Sequence, residues 1–511
     1  MRKRILGLFT VFAVGILVLT GIGVATALRA TTNNSVVGPN ESLIRETEQA
    51  RKSPDATTRN MTLVAAPTKV LIGGRTVSTW AFNGQVPGPE IRAQVGDVIR
   101  AEVVNDLPEP LTVHWHGIAI RNDMDGVPHL NQEAIAPGAR FVYEFVVSHE
   151  GSYFYHSHVG VQLDRGLYGP LIVTSKSTTG PRDIPMLLDD WTDGVGRTPD
   201  QQLAQLQSGS TGAGSTNSGQ TGMSGMHHGS MVHGRMGGAA TASQPLGAET
   251  VDINYPMYLI NGRSSADPAV INAAPGEQVR LRLINAAAST PFRIAVSSGA
   301  MTVVASDGYE LKAAPARSLV IGMGERYDVL VRAPRTGSMS LVAQVEGQRS
   351  SVSAMLRAPK VGSQSTMEPP ADLTQDPVSL GDLHANPESS LPVRPADQTF
   401  DVTLNGAMMG YDWGIAAPSV GGVSMPVREG QRIRMNVTNN TMMWHPVHLH
   451  GHTFQVVNSN HDGPRKDTIA IAPMDSITIE FDADNPGQWM LHCHTIYHAE
   501  SGMMTTLNYL K

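Results

Sequence analysis

The chain has 511 residues, 51 of them Gly and 33 Pro, with 16% charged side chains, enough for about three domains of roughly 150 residues each. A formal charge of −7, with no Lys/Arg-rich run beyond the first few residues, gives no attraction for nucleic acid and excludes it as a partner. The single cysteine, Cys493, rules out an intramolecular disulfide.

Arg2, Lys3 and Arg4 precede an uncharged stretch over residues 5–28, and Ala25, Thr26 and Ala27 supply small residues suited to signal-peptidase cleavage. Residues 1–29 are therefore expected to be a signal peptide or, because the apolar stretch is long enough to span a bilayer, an uncleaved membrane anchor. Either places the mature protein outside the cytoplasm, in a periplasm, at a cell surface or secreted. Residues 30–60 read as a polar linker, expected to be disordered. From 61 to 178, short β-type runs such as 77–82, 98–104 and 141–147 alternate with Gly/Pro/Asn turns, which predicts an antiparallel sandwich. Similar series occupy 179–358 and 398–511, and a linker rich in Pro, Ser and Asp joins them over 359–397.

The second series is interrupted over 208–247 by a Gly/Ser/Thr-rich insertion carrying Met223, Met226, His227, His228, Met231, His233 and Met236. Such a composition cannot bury a core and predicts a surface loop. Thioethers favour Cu(I) and imidazoles bind both copper states, so the residue choice suits a copper-gathering segment.

Four His-x-His pairs decide the chemistry: His114/His116, His156/His158, His448/His450 and His492/His494. On a strand, residues i and i+2 share a face and stand about 7 Å apart, so each pair aims two imidazoles the same way. Eight convergent imidazoles suit a metal cluster. The last pair encloses Cys493, which must face the opposite side of the same strand. With His445, His498 and Met503 it completes a set of two imidazoles, one thiolate and one thioether, the blue-copper combination. Zinc is the competing metal, but its structural sites do not use Met.

At these positions the chain resembles the multicopper oxidases. The carrying motifs are His114-Trp115-His116-Gly117, His156-Ser157-His158, His445-Pro446-Val447-His448-Leu449-His450-Gly451-His452 and His492-Cys493-His494 followed by His498 and Met503. The resemblance implies an all-β fold of three consecutive cupredoxin-like Greek-key β-sandwich domains, with copper ligands in the first and third. It implies four copper ions: type 1 at His445, Cys493, His498 and Met503, type 2 at His114 and His448, and a type 3 pair at His116, His156, His158, His450, His492 and His494. Asp125 matches a family acid on the type 2 side and Glu500 one on the type 3 side, both expected to deliver protons. His129, His149, His452 and His461 match no ligand position.

The implied reaction takes single electrons from a reductant at the type 1 copper, through the edge of His445 or His498, and reduces O2 to water at the trinuclear cluster. The insertion and the sequence around Asn440–His445 resemble the bacterial copper-resistance branch, which makes Cu(I) the expected reductant. A laccase-like oxidase of phenols or other small organic reductants is the alternative, and a copper-sequestering protein without turnover is a third reading.

Overall fold

The computed structural model describes residues 36–176, 180–209, 244–358 and 371–511. Both the 5–28 stretch and the seven Met and His residues of the insertion lie outside the described residues. Among the described residues no helix is long and apolar enough to cross a membrane.

Three β-sandwiches follow one another. In the first, a four-stranded sheet runs Arg75–Phe82, Thr58–Ile72, Val98–Asn105, Arg140–Val146, and faces a second in the order Ile91–Gln94, Tyr168–Thr174, Gly151–Ser157, Val113–His116. From Thr58–Ile72 onward the chain switches sheets repeatedly, the Greek-key habit of sandwiches. The second and third sandwiches each pair a six-stranded with a five-stranded sheet.

None of the sandwiches is purely antiparallel. Thr58–Ile72 lies parallel to Val98–Asn105, Arg182–Trp191 to Gln278–Asn285, and Gln398–Ala407 to Arg432–Asn439. Parallel neighbours need a crossover rather than a hairpin, and the detour through the facing sheet supplies it. Alternation of side chains cannot reveal this, because it is the same for both pairings.

Residues 36–57 are a strap instead of a disordered linker. Val37 donates its N–H to Tyr509 O (2.8 Å) in the third sandwich. The helix α1, Ser42–Arg51, then buries Ile44 and Glu48. These residues are four apart and so share a helix face. Glu48 caps the Val146 N–H, and Arg51 donates to Ala119 O (2.6 Å) and to Asn485 Oδ1 (3.2 Å), tying the first sandwich to the third. Residues 371–397 are also packed down, with Leu383 and Leu391 buried and Leu391 N–H donating to Gln455 Oε1 (2.7 Å). Ahead of the insertion, α2, Pro199–Gln207, starts with a Thr198/Gln201 capping box and Pro199 at its first position, strong start signals for a short helix.

Candidate metal centres

Alternation on four strands builds the larger centre. Trp115 points into the first sandwich, where it packs on Phe145 with ring centroids 4.8 Å apart, and this turns His114 and His116 outward together. His114 lies opposite His156, and His448 opposite His492 on the neighbouring strands His445–Leu449 and Gln488–Cys493. The two sandwiches dock so that rings from one meet rings from the other. Centroids are 3.8 Å apart for His116–His448, 3.9 Å for His114–His450, 5.4 Å for His158–His492 and 5.5 Å for His156–His494. All eight imidazoles predicted from sequence therefore meet in one cluster.

The cluster is chemically unfinished without a metal. Nε2 of His114, His156, His448 and His494 and Nδ1 of His116 are buried with no hydrogen-bond partner, a costly state for polar atoms unless something binds them. His158, His450 and His492 present ring nitrogens within 4.8 Å of one another, and Nε2 of His450 stands 3.0 Å from Nε2 of His492. Burial, the largest cause, pushes His116, His156, His450, His492 and His494 well below the usual imidazole range and His158 to about 3. Neutral imidazole is the form that ligates metal.

In six of the eight rings the other nitrogen is held from outside, which orients the ring; both nitrogens of His494 are unpartnered. Nδ1 of His114 meets Asp125 O (2.9 Å), of His156 Ser157 O (2.9 Å), of His492 Cys493 O (2.8 Å) and of His448 Asp467 O (2.9 Å). Asp125 is fully buried, its Oδ2 lying 3.0 Å from His450 Nδ1 and its Oδ1 3.2 Å from His114 Nδ1. His116 is turned the other way, with Nε2 on Asp467 Oδ1 (3.2 Å) and Thr468 Oγ1 (3.1 Å). Glu500 lines a cavity of about 30 Å³ with His156, His158, His492 and His494, and burial raises its carboxyl to about 7. That volume holds about two water molecules.

Cys493 faces away from this cluster, toward the smaller centre. Its Sγ lies 3.8 Å from His445 Nδ1 and 3.7 Å from His498 Nδ1, and the two Nδ1 atoms are 3.1 Å apart. Met503 is fully buried and is anchored by backbone hydrogen bonds to Cys493 and His498, each 3.0 Å. The sequence reading places an electron port at the edge of His445 or His498, but the rings are only 0% and 1% exposed. The outer Nε2 of His445 meets Thr441 Oγ1 (2.7 Å) and that of His498 meets Asp252 Oδ2 (2.7 Å). Tyr411 also donates its hydroxyl to Asp252 (2.6 Å). Burial opposes a charge on His498, but the Asp252 carboxylate outweighs it and raises the imidazole to about 9.

Four residues at these centres escape the sequence reading: Asp467, Thr468, Asp252 and Tyr411. The run Lys466-Asp467-Thr468 beside an apolar strand is a local signal for Asp467 and Thr468, since buried charge in such a place needs a partner; Asp252 and Tyr411 carry none. His452 lies outside both centres, bonded to Tyr509 OH (2.6 Å).

Sequence profiles described as multicopper oxidase match residues 64–178, 182–359 and 393–510. The chain is 38% identical over 500 residues to multicopper oxidase MmcO of Mycobacterium tuberculosis, covering 96% of this chain and 95% of that one. It is 27% identical over 547 residues to a copper resistance protein A homolog of Pseudomonas syringae pv. tomato, covering 86% and 90%. Among solved structures, a multi-copper oxidase from Pseudomonas thermotolerans aligns with a TM-score of 0.66 and 26% identity over 89% of this chain and 100% of that one. The chain belongs to the multicopper oxidases: it is an all-β, oxygen-dependent copper oxidase, with copper as its cofactor.

Proposed function

We propose that the protein oxidises Cu(I) to Cu(II) outside the cytoplasm, in copper tolerance, with four coppers held as one type 1 ion and a trinuclear cluster. In this reading His445, Cys493, His498 and Met503 hold type 1, His114 and His448 type 2, and the other six paired histidines type 3. Copper held by these residues would supply the one-electron redox chemistry by which four electrons, with four protons, reduce O2 to two waters. Cys493 sits between His492 and His494, so one strand joins the two ligand sets covalently. Asp252, bonded to the outer nitrogen of His498, sets a buried negative charge where a cationic reductant must approach. Asp125, against His450 and His114, and Glu500, on the cavity lined by His156, His158, His492 and His494, are the carboxyl groups assigned to proton delivery.

The observation carrying Cu(I) as substrate is where the Met/His-rich insertion departs and returns. Gln207, the last residue of α2, bonds Ser501 Oγ (3.3 Å), three residues from His498. After the insertion, Asp252 reaches His498. The described residues on both flanks of the segment that carries four Met and three His thus contact the neighbourhood of the type 1 set. The name of the copper resistance relative agrees. A laccase-type reaction needs an open pocket at a type 1 imidazole, and the burial of His445 and His498 speaks against it.

Replacing those seven residues is expected to slow Cu(I) oxidation while phenol oxidation, which shares the same coppers, holds or rises. Equal loss of both rates, or loss of neither, refutes the proposal.

A further inference from the structure

The middle sandwich supplies none of the paired histidines, yet its side chains reach the larger centre. Arg326, at the start of the strand Arg326–Arg332, is fully buried. Its Nη1 and Nη2 donate to Oδ1 and Oδ2 of Asp467, each at 2.6 Å, and its Nε donates to Ser152 O (2.9 Å) in the first sandwich. The same Asp467 stands between rings of different sandwiches: its Oδ1 lies 3.2 Å from His116 Nε2 and 3.5 Å from His448 Nδ1, and its backbone oxygen 2.9 Å from His448 Nδ1. Asp307, also from the middle sandwich, accepts the backbone N–H groups of Asp467 and Thr468, each at 3.2 Å.

A bidentate guanidinium fixes the plane of a carboxyl group, whereas a lysine offers only a point charge. Here the fork takes one lone pair on each oxygen and leaves Oδ1 turned to His116. Glycine keeps the space open: a Cβ on Gly117, whose φ is +85°, stands 2.3 Å from Arg326 Nη2 and 2.7 Å from Asp467 Oδ2. The turn ahead of Arg326 is seated as closely, since a Cβ on Gly324 stands 2.8 Å from His494 Cδ2.

We propose that Arg326 is a positioning residue for the edge of the trinuclear cluster where the type 2 ligand His448 meets the type 3 ligand His116. By holding Asp467 in one rotation it orients His116 and His448, and the middle sandwich thereby becomes a working part of a centre to which it gives no ligand. The inference rests on the ligand assignment proposed above.

The test uses the copper-loaded full chain as wild type, Arg326→Met, Arg326→Lys and Gly117→Ala, with copper per chain, the blue band, the type 2 paramagnetic resonance signal and chelator titration as readouts. Partners of metal-bound imidazoles typically change affinity 10- to 100-fold. Arg326→Met is therefore expected to keep the blue band and lose type 2 copper at about 10- to 100-fold less chelator. Arg326→Lys should fall between it and wild type, since charge returns without the fork. Gly117→Ala, which removes no polar group, should lose type 2 copper in the same selective way, and it decides the matter if Arg326→Met does not fold. A wild-type chelator midpoint in Arg326→Met or in Gly117→Ala, or equal loss of the blue band and the type 2 signal, overturns the proposal. A wild-type protein with no type 2 signal instead overturns the ligand assignment.

Discussion

Asp125→Asn separates the carboxyl group's charge from its shape. A metal on Nε2 leaves Nδ1 of His450 and His114 as N–H donors, and the two oxygens of Asp125 sit 3.0 and 3.2 Å from them. Asparagine retains one acceptor, and its amide N–H2 must face one of the two rings. His114 keeps the Asp125 backbone oxygen at 2.9 Å, so the amide oxygen turns to His450 and the loss reduces to the charge on that one bond. A hydrogen bond to a charged group is worth about 1.5–3 kcal/mol, which is roughly 10- to 150-fold in copper affinity at the His450 site. With saturating copper that loss is masked and proton delivery is what remains, worth about 10²-fold or more in turnover. Stopped-flow reduction without O2 reports the type 1 centre, and steady-state O2 uptake reports the whole cycle. The variant is expected to reduce at the wild-type rate and turn over about 10²-fold more slowly. Near-normal O2 uptake would return Asp125 to a purely orienting role, and slowed anaerobic reduction would place its effect at the wrong centre.

Cys493→Ser removes the thiolate but leaves both flanking imidazoles on their strand, so the blue band should vanish while copper falls by about one ion per chain. A retained band contradicts the blue-copper assignment. Glu48→Gln probes the strap by its pH dependence. Burial raises the Glu48 carboxyl from 4.5 to about 7, so the folded chain holds that proton more tightly than the unfolded one. As pH climbs from 4.5 to 7 the wild type loses stability, and at about 1.36 kcal/mol per pH unit the full penalty above 7 comes to about 3 kcal/mol. Glutamine can still accept the Val146 N–H, so denaturation should be alike at pH 4.5 and the variant more stable at pH 8; parallel curves at both pH values refute the reasoning.

The ligand strands were legible because strand alternation is local: Trp115, Leu449 and Cys493 each sit between two histidines and face the other way, and all three are fully buried. The three strand series were legible for the same reason. What alternation cannot encode is which strands neighbour each other, hence the unforeseen parallel pairs, or which isolated charge meets which ring. Asp252 and His498 are 246 positions apart and Arg326 and Asp467 are 141 apart, and no periodicity links them. The strap is not legible because its burial rests on scattered residues, Val36, Val37, Ile44 and Glu48, of which one is charged.

These long-range contacts also determine how the larger centre is assembled. The first and third sandwiches meet through buried amides: Asn122 and Asn131 donate to Gln488 O at 2.6 and 3.0 Å, and Asn485 donates to Ile120 O at 2.9 Å. Gly487 leaves room for this, since its Cβ would stand 2.4 Å from Asn122 Cγ. The seam is polar and oriented, which fixes register more than it supplies adhesion. Metal ligands drawn from both sides of such a seam link occupancy to docking: an ion that binds only the docked arrangement stabilises it by RT ln(1 + [L]/Kd). Any change that loosens the seam must then weaken copper binding even when every ligand is present, and copper in turn must hold the sandwiches together. The proposed type 1 ligands lie wholly within the third sandwich and escape this linkage, so on the proposed assignment blue colour is expected to outlast loss of the larger centre's copper.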